Sequence, residues 1–309
     1  MNLTTDLSDF TLDESWVTVG SFDGVHLGHQ ALARTLVSGA HREGCSAVVI
    51  TFYPHPAVFF GRSNQAYTLT SPEERTSLLK NLGIDYVITL KFDEHIANLT
   101  AQNFMRLLKE NLGLQHFLIG FNFALGRGRA GDMDALQQIG NTLDYQVEVI
   151  PPFKLTGEIV SSSQIRTYLQ EGQLEKANTF LGRPYSLEGI VIQGEHRGNK
   201  LGFPTANLDI ASDRLLPAKG VYASRAFVNG KSYTAVTNIG VRPTFAKPLE
   251  SPRVEPHLLD LNEDLYGDFL KLELLEYLRP EQAFDSSNEL IAQVNRDIEK
   301  TKELIKNAP

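Results

Sequence analysis

Gly20-Ser21-Phe22-Asp23-Gly24-Val25-His26-Leu27-Gly28-His29 decides how the first half of the chain folds. An apolar run, Trp16–Ser21, enters a glycine-spaced turn and leaves it in a helical pattern. Such a helix start points free amides and the positive end of its dipole at a ligand, which suits phosphate. His26 and His29, three apart at the helix start, share one face and bring two imidazoles to one anion, and Gly28 leaves room between the rings. Gly20, Phe22, Asp23 and Gly24 belong to the same turn and are read with it as phosphate contacts. An isolated His-x-Gly-His is as readily surface decoration or a stray metal site, so its surroundings decide.

Outward from that turn, short apolar runs alternate with amphipathic segments as far as about Leu181, the pattern of a parallel sheet covered by helices. The strands expected are Trp16–Ser21, Ala47–Phe52, Tyr86–Lys91, Phe117–Phe121 and Tyr145–Ile150. Ser71-Pro72-Glu73-Glu74 supplies an N-cap, a first-turn proline and acidic first-turn residues, and Gly83 closes that helix; another opens at Thr100 and ends near Gly113. Two short helices separated by Gly172 follow Ser161-Ser162-Ser163, and Gly182-Arg183-Pro184 breaks the pattern. The domain boundary is placed there, giving domains 1–184 and 185–309. Beyond it, Leu187–Ile192, Val221–Val228, Tyr233–Val236 and Leu270–Leu275, with Asn229-Gly230 as a turn, read as a small antiparallel β-barrel closed by a helix from about Ser286 to Lys306.

Composition bounds the function. A chain of 309 residues, 42% hydrophobic, holds two cores. A net charge of −8 leaves anionic ligands to local groups and argues against a nucleic-acid partner. No stretch approaches the roughly 18 apolar residues of a membrane span, and the N-terminus lacks a signal-peptide pattern. The lone Cys45, leading into an apolar strand, is read as packing and suits a reducing compartment; a cytoplasmic protein is expected.

Ser161-Ser162-Ser163-Gln164-Ile165-Arg166 is a second helix start with three hydroxyls and an arginine after the last strand of the first domain. With the histidine motif it resembles the HxGH nucleotidyltransferases, a Rossmann-like α/β class in which two helix starts grip the phosphates of ATP. Thr51-Phe52-Tyr53-Pro54-His55-Pro56, the stretch Gly120-Phe121-Asn122-Phe123-Ala124-Leu125-Gly126-Arg127-Gly128-Arg129-Ala130-Gly131-Asp132 and Gly182-Arg183-Pro184 are similar to the flavin branch of that class, the bacterial bifunctional riboflavin kinase and FAD synthetase family. The resemblance implies that Ser161, Ser162, Ser163, Arg166 and Asn122 join the turn residues around ATP. Members often carry Arg-Phe where Ala124-Leu125 stand. For Asn122 a turn cap, and for Arg127 and Arg129 solvated loop charges, are the alternative readings.

In the second half, Gly194, Gly198 and Gly202, four apart, permit close backbone approach to a phosphate. Their spacing does not match Gly-x-x-x-x-Gly-Lys-Ser/Thr, which excludes a P-loop. Phe203-Pro204-Thr205-Ala206-Asn207, Gly220-Val221-Tyr222, Thr237-Asn238-Ile239-Gly240-Val241-Arg242-Pro243-Thr244-Phe245, Glu255 and Asp264-Leu265-Tyr266-Gly267 resemble the riboflavin kinase domain over its full length. That resemblance implies that Thr205 and Asn207 hold Mg²⁺ and nucleotide phosphate, that Pro204, Asn238 and Arg242 line the ATP and flavin site, and that Glu255 is the base. Pro256 removes a backbone donor beside Glu255, so the base is expected at a strand end or bulge.

The expected function is therefore ATP-dependent phosphorylation of riboflavin to FMN in the C-terminal half and adenylylation of FMN to FAD in the N-terminal half. His26 and His29 are the catalytic donors of the second reaction. The partners are riboflavin, FMN, FAD and ATP, with Mg²⁺ as the cation. Two alternatives stand beside it: a single-activity enzyme with one decayed site, and a flavin-binding regulator without turnover. Whether the chain forms a homo-oligomer or docks on flavoproteins is not written in the sequence.

Overall fold

Short β-branched runs flanked by helices leave a sheet buried on both faces, and that is what the first part of the chain builds. The computed structural model describes residues 7–62, 67–193, 203–240, 253–261 and 263–307. Strands β1 (Ser15–Val19), β2 (Ser46–Tyr53), β3 (Tyr86–Lys91), β4 (Leu114–Gly120) and β5 (Gln146–Ile150) form a parallel sheet in the order β3-β2-β1-β4-β5. All five residues of β1 are buried. Its register sets Val17 beside Val48 and Phe117. Successive strand residues alternate between faces. Val17, Val19, Val48, Ile50 and Phe117 pack with Phe104, Met105 and Leu108 of helix α5, while Trp16, Ala47 and Val49 pack with Leu36 and Ala40 of helix α1. The helices are α1 (Leu27–Arg42), α2 (Pro56–Phe59), α3 (Pro72–Lys80), α4 (Glu94–Asn98), α5 (Ala101–Leu112) and α6 (Met133–Leu143). The chain winds from β1 outward through β2 to β3, then returns to the far side of β1 as β4, so the strand order reverses between β1 and β4, where α/β sheets bind ligands.

Trp16, the only tryptophan, lies 4% exposed, stacked on His116 with centroids 4.0 Å apart and donating from Nε1 to Glu43 Oε2 at 3.1 Å. Gly39 of α1 sits under it so closely that a Cβ there would meet the indole at 2.2 Å. Gly39→Ala is therefore expected to destabilise this unit by about 1–3 kcal/mol through overpacking. Thermal unfolding followed by Trp16 fluorescence reads the shift. Cys45 is buried in the same cluster, and burial together with Glu14 and Glu43 pushes its thiol up, as suits a packing residue and not a nucleophile.

After the two-stranded hairpin β6 (Lys154–Leu155) and β7 (Glu158–Ile159) come helices α7 (Ser162–Gln170) and α8 (Leu174–Leu181). Strands β8 (Tyr185–Ile192), β9 (Asn207–Asp209), β10 (Gly220–Val228), β11 (Lys231–Gly240), β12 (Arg253–Leu258) and β13 (Phe269–Arg279) then close an antiparallel barrel in the order β10-β11-β12-β9-β8-β13, and helix α9 (Ser287–Asn307) follows. Asn229 and Gly230, with φ of 50° and 73°, make the two-residue turn between β10 and β11. Bidentate pairing of Arg279 with Asp297 at 2.8 Å ties α9 to the end of β13.

By packing, the chain divides into units Met1–Ser162 and Ser163–Pro309. The second contains α8, whose Asn178 accepts from Tyr185 N at 2.7 Å and donates to Leu274 O at 3.0 Å, and whose Leu174, Ala177, Phe180 and Leu181 are buried. The punctuation at Gly182-Arg183-Pro184 marks where α8 ends, in a left-handed Gly182, and the packing division comes earlier.

Two candidate active sites

In the first unit the turn after β1 is held in unusual backbone. Phe22, Gly24 and Val25 have φ of 46°, 84° and 39°, left-handed values that non-glycine residues adopt only when surroundings over-determine them. The surroundings do so. The Asp23 carboxylate, 1% exposed, accepts from Leu69 N at 2.8 Å, Thr70 N at 3.1 Å and Thr70 Oγ1 at 3.3 Å. Gly24 N donates to Thr70 Oγ1 at 3.0 Å, and Ser162 Oγ donates to Asp23 O at 2.8 Å. The Asp23 side chain thus braces the turn read as the phosphate contact.

His26 is the N-cap of α1, its Nδ1 accepting from His29 N at 3.3 Å. An accepting Nδ1 carries no proton, so the neutral ring keeps its proton on Nε2 as a donor. The rings of His26 and His29 stack with centroids 3.7 Å apart and planes 17° from parallel, and Phe22 lies 4.9 Å from His29. A Cβ on Gly28 would press on the His26 ring at 3.1 Å, so glycine is what admits the stack. The imidazole pair expected from spacing is thus assembled at a helix start. Ser161 and Ser162 are half-buried in this unit; Ser163 and Arg166 fall in the second, where Arg166 is 7% exposed.

Beside the turn, at the C-terminal ends of β1 and β2, opens a cavity of about 650 Å³. Gly20, Ser21, His55, Asn122 and Arg129 line it among the aromatic rings of Phe52, Phe60, Phe92 and Phe123. Phe92 meets Phe52, Phe59 and Phe60 edge-on at 5.3 to 5.7 Å. His55 caps α2 by accepting from Ala57 N at 3.0 Å. A broad apolar slot with a few polar groups suits a planar ring system carrying an anionic tail. Ala124 and Leu125, the departure from the expected Arg-Phe, both stand in its wall, and so does Arg129, whose Nη2 donates to Asn122 O at 3.2 Å. In the sequence Phe52 and His55 stand in a motif with no role of their own and Phe60 and Phe92 stand in none; no local periodicity signals a wall assembled from four separate segments.

In the second unit, Gly194, Gly198, Gly202 and Arg242 lie outside the described residues. The others are brought together by register. Glu255 pairs directly with Asn238 across β12 and β11, and Leu208 pairs with Val254 across β9 and β12. Ala206 N donates to Pro256 O at 2.9 Å, which carries the same register back to Ala206. Asn207, Glu255 and Asn238 therefore stand in one row across three strands, on the face opposite the buried Val254 and Leu258. His257 Nδ1 lies 2.7 Å from Pro204 O and its ring meets Phe203 edge-on at 5.7 Å, holding the Pro204-Thr205 stretch alongside β12. Asn238 Nδ2 donates to Glu281 Oε1 at 3.3 Å.

The expectation that Glu255 sits at a strand end or bulge is corrected: the β11–β12 register runs unbroken from Ala235 to Gly240. Pro256 is tolerated mid-strand because its carbonyl, and with it the missing N–H, points toward Ala206 and not toward β11. Among the described residues no group of three or more His, Cys, Asp or Glu is placed to hold a metal. Thr205 and Asn207 carry side-chain oxygens, the donor type that suits a hard, partly hydrated cation.

Both sites lie within matched stretches. The family model described as FAD synthetase matches residues 10–164, and that described as riboflavin kinase matches residues 181–305. The bifunctional riboflavin kinase/FMN adenylyltransferase of Bacillus subtilis (strain 168) is 38% identical over 288 residues, covering 92% of this chain and 90% of its own. That of Escherichia coli (strain K12) is 37% identical over 283 residues, covering 91% and 90%. A crystal structure described as a macrolide-efflux protein from Streptococcus pneumoniae aligns with a TM-score of 0.88 at 30% identity, covering 97% of this chain and 98% of that one. Among the described residues of this chain no helix is long and apolar enough to cross a membrane.

Proposed function

We propose, for a chain that belongs to the bifunctional riboflavin kinase/FMN adenylyltransferase family, which of its residues carry each of the two reactions. The chain phosphorylates riboflavin to FMN and adenylylates FMN to FAD, each at the expense of ATP. The observation that carries the residue assignment is that each matched stretch contains its own built site.

For adenylyl transfer, the aromatic cavity takes the flavin ring, and Arg129 lies on its rim for the FMN phosphate. Ser162, whose hydroxyl donates to Asp23 O, holds the second helix start against the turn. His26 and His29, with the α1 amides and the hydroxyl of Ser161, face the ATP phosphates. Their donors meet the charge that builds on the α-phosphate and the departing pyrophosphate, and each such donor contributes about 3–4 kcal/mol in comparable oxyanion sites. The polar Asn122 at the cavity mouth faces the nucleotide. For phosphoryl transfer, Glu255 takes the proton of the riboflavin 5′-hydroxyl as it attacks the γ-phosphate. Asn238 and Pro204 flank it, and the glycine series with Arg242 completes the phosphate cradle. Thr205 and Asn207 would hold Mg²⁺, which when bound screens the phosphate charge. Chelating divalent metal should abolish FMN formation and added Mg²⁺ restore it; turnover undiminished in excess chelator contradicts the assignment. The buried thiol of Cys45 agrees with a cytoplasmic location.

We assign residues 185–309 to the kinase and 1–184 to the adenylyltransferase. Helix α8 nonetheless packs on β8 and β13. A fragment from Ser163 should fold and make FMN, whereas one from Tyr185 loses the buried apolar side chains Ile165, Tyr168 and Leu169 of α7 and Leu174, Ala177, Phe180 and Leu181 of α8, each worth about 1.5–3 kcal/mol when large, from a margin of only about 5–15 kcal/mol. Circular dichroism melts of the two fragments decide: equal stability would show that α7 and α8 are dispensable to the barrel.

A further inference from the structure

The adenylyltransferase unit contains a fully buried cation with no place in the chemistry above. Arg75, on α3, is among the largest wholly buried side chains, and it does not line the cavity. Its Nη1 donates to Thr51 Oγ1 at 2.8 Å and to Phe52 O at 3.3 Å, both at the end of β2. Its Nη2 donates to Thr70 O at 3.4 Å and lies 3.9 Å from Asp23 Oδ1, with both partners 1% exposed. Thr51 Oγ1, accepting from Arg75, gives its own proton to Ser21 O at 3.0 Å. Thr70 Oγ1 likewise accepts from Gly24 N and donates to Asp23. Each hydroxyl takes one hydrogen bond and gives one, so the network has a single sense.

The network's ends are what matter. One end, Phe52 and Ser21, lines the aromatic cavity; the other, Asp23 and Gly24, is the left-handed turn that delivers His26 and His29. Only a planar guanidinium offers several donors in fixed directions, and a buried charge holds its partners in place because leaving them unpaired is costly. We propose that Arg75 is a positioning residue of the adenylyltransferase, coupling the phosphate-binding turn to the flavin cavity through Thr51 and Asp23. It touches neither substrate. It fixes the distance between the two halves of the reacting pair, on which in-line attack depends.

The proposal rests on the assignment of adenylyl transfer to this unit, and the test keeps the two apart. Full-length wild type, Arg75→Lys and Thr51→Val are given FMN and ATP, and FAD formation is resolved into kcat and KM for each substrate. Riboflavin phosphorylation by the same samples is the internal control, and Trp16 fluorescence reports the folded fraction. Arg75→Lys keeps the charge but not the fork; Thr51→Val removes one hydroxyl at nearly constant shape. Expected are at least tenfold lower kcat and several-fold higher KM for both FMN and ATP in Arg75→Lys, and a smaller change of the same kind in Thr51→Val, with kinase activity within twofold of wild type. A merely structural residue would lower the active fraction and leave both KM values alone. Folded variants with wild-type KM values, or KM raised for one substrate only, overturn the coupling. If Arg75→Lys does not fold, Thr51→Val decides by the same criterion. Wild type that forms no FAD overturns the assignment of the unit itself.

Discussion

Glu255→Gln should lower FMN formation by about 10²–10⁴-fold, the usual contribution of a positioned general base, with little change in riboflavin affinity. Glutamine keeps the shape and can still hydrogen-bond, but it cannot take a proton at neutral pH. Glu255 stands mid-strand between Asn207 and Asn238, half-buried, so the substitution preserves both the β11 pairing and the barrel interior. The same protein given FMN should form FAD at the wild-type rate, because the carboxylate belongs to the second unit. Kinase turnover surviving nearly intact would make Glu255 a surface charge and leave the proton to another group. Measuring kcat and KM for riboflavin separately reads the distinction.

Replacing His26 and His29 together by alanine should do the reverse. FMN should accumulate from riboflavin and ATP while FAD formation falls by at least about 10³-fold, since two phosphate donors of about 10²–10³ each are removed. His26→Ala also deletes the N-cap of α1, at about 0.5–2 kcal/mol. His26→Asn is therefore the companion variant: it restores a capping acceptor without the imidazole. Loss of FAD formation in the asparagine variant, with an unchanged Trp16 melting transition, assigns the effect to chemistry. Full FAD formation in the double alanine variant would remove both histidines from the site.

What was legible in the sequence followed from strong local periods. The parallel strands and the Asn229-Gly230 turn declare themselves because burial on both faces of the central β1 and β2, or a left-handed pair, restricts which residues fit. β9 and β12 do not declare themselves. β9 is three residues long, and β12 carries Pro256 at a position where only the geometry of Ala206 shows that no ladder bond is lost. The histidine pair was readable, since three residues on a helix fix a face, whereas the turn before it was readable only as a group. Its spacing does not say which way Asp23 points, and burial with Thr70 and Arg75 turned it inward. The cavity wall was hidden for a different reason: Phe52, Phe60, Phe92 and Phe123 meet only once the sheet is assembled. Gly182 ends a helix whose other face packs on the barrel strands, a packing that local punctuation does not show.

One chain holds two sites, each in its own matched stretch, working in sequence. The direct measurement is a time course of the full-length protein with riboflavin, ATP and Mg²⁺, with flavins and nucleotide products separated by chromatography. FMN and ADP should appear together from the start, FAD should follow after a lag, and pyrophosphate should match FAD mole for mole. Folded protein that stops at FMN, or that releases neither flavin product, would contradict it.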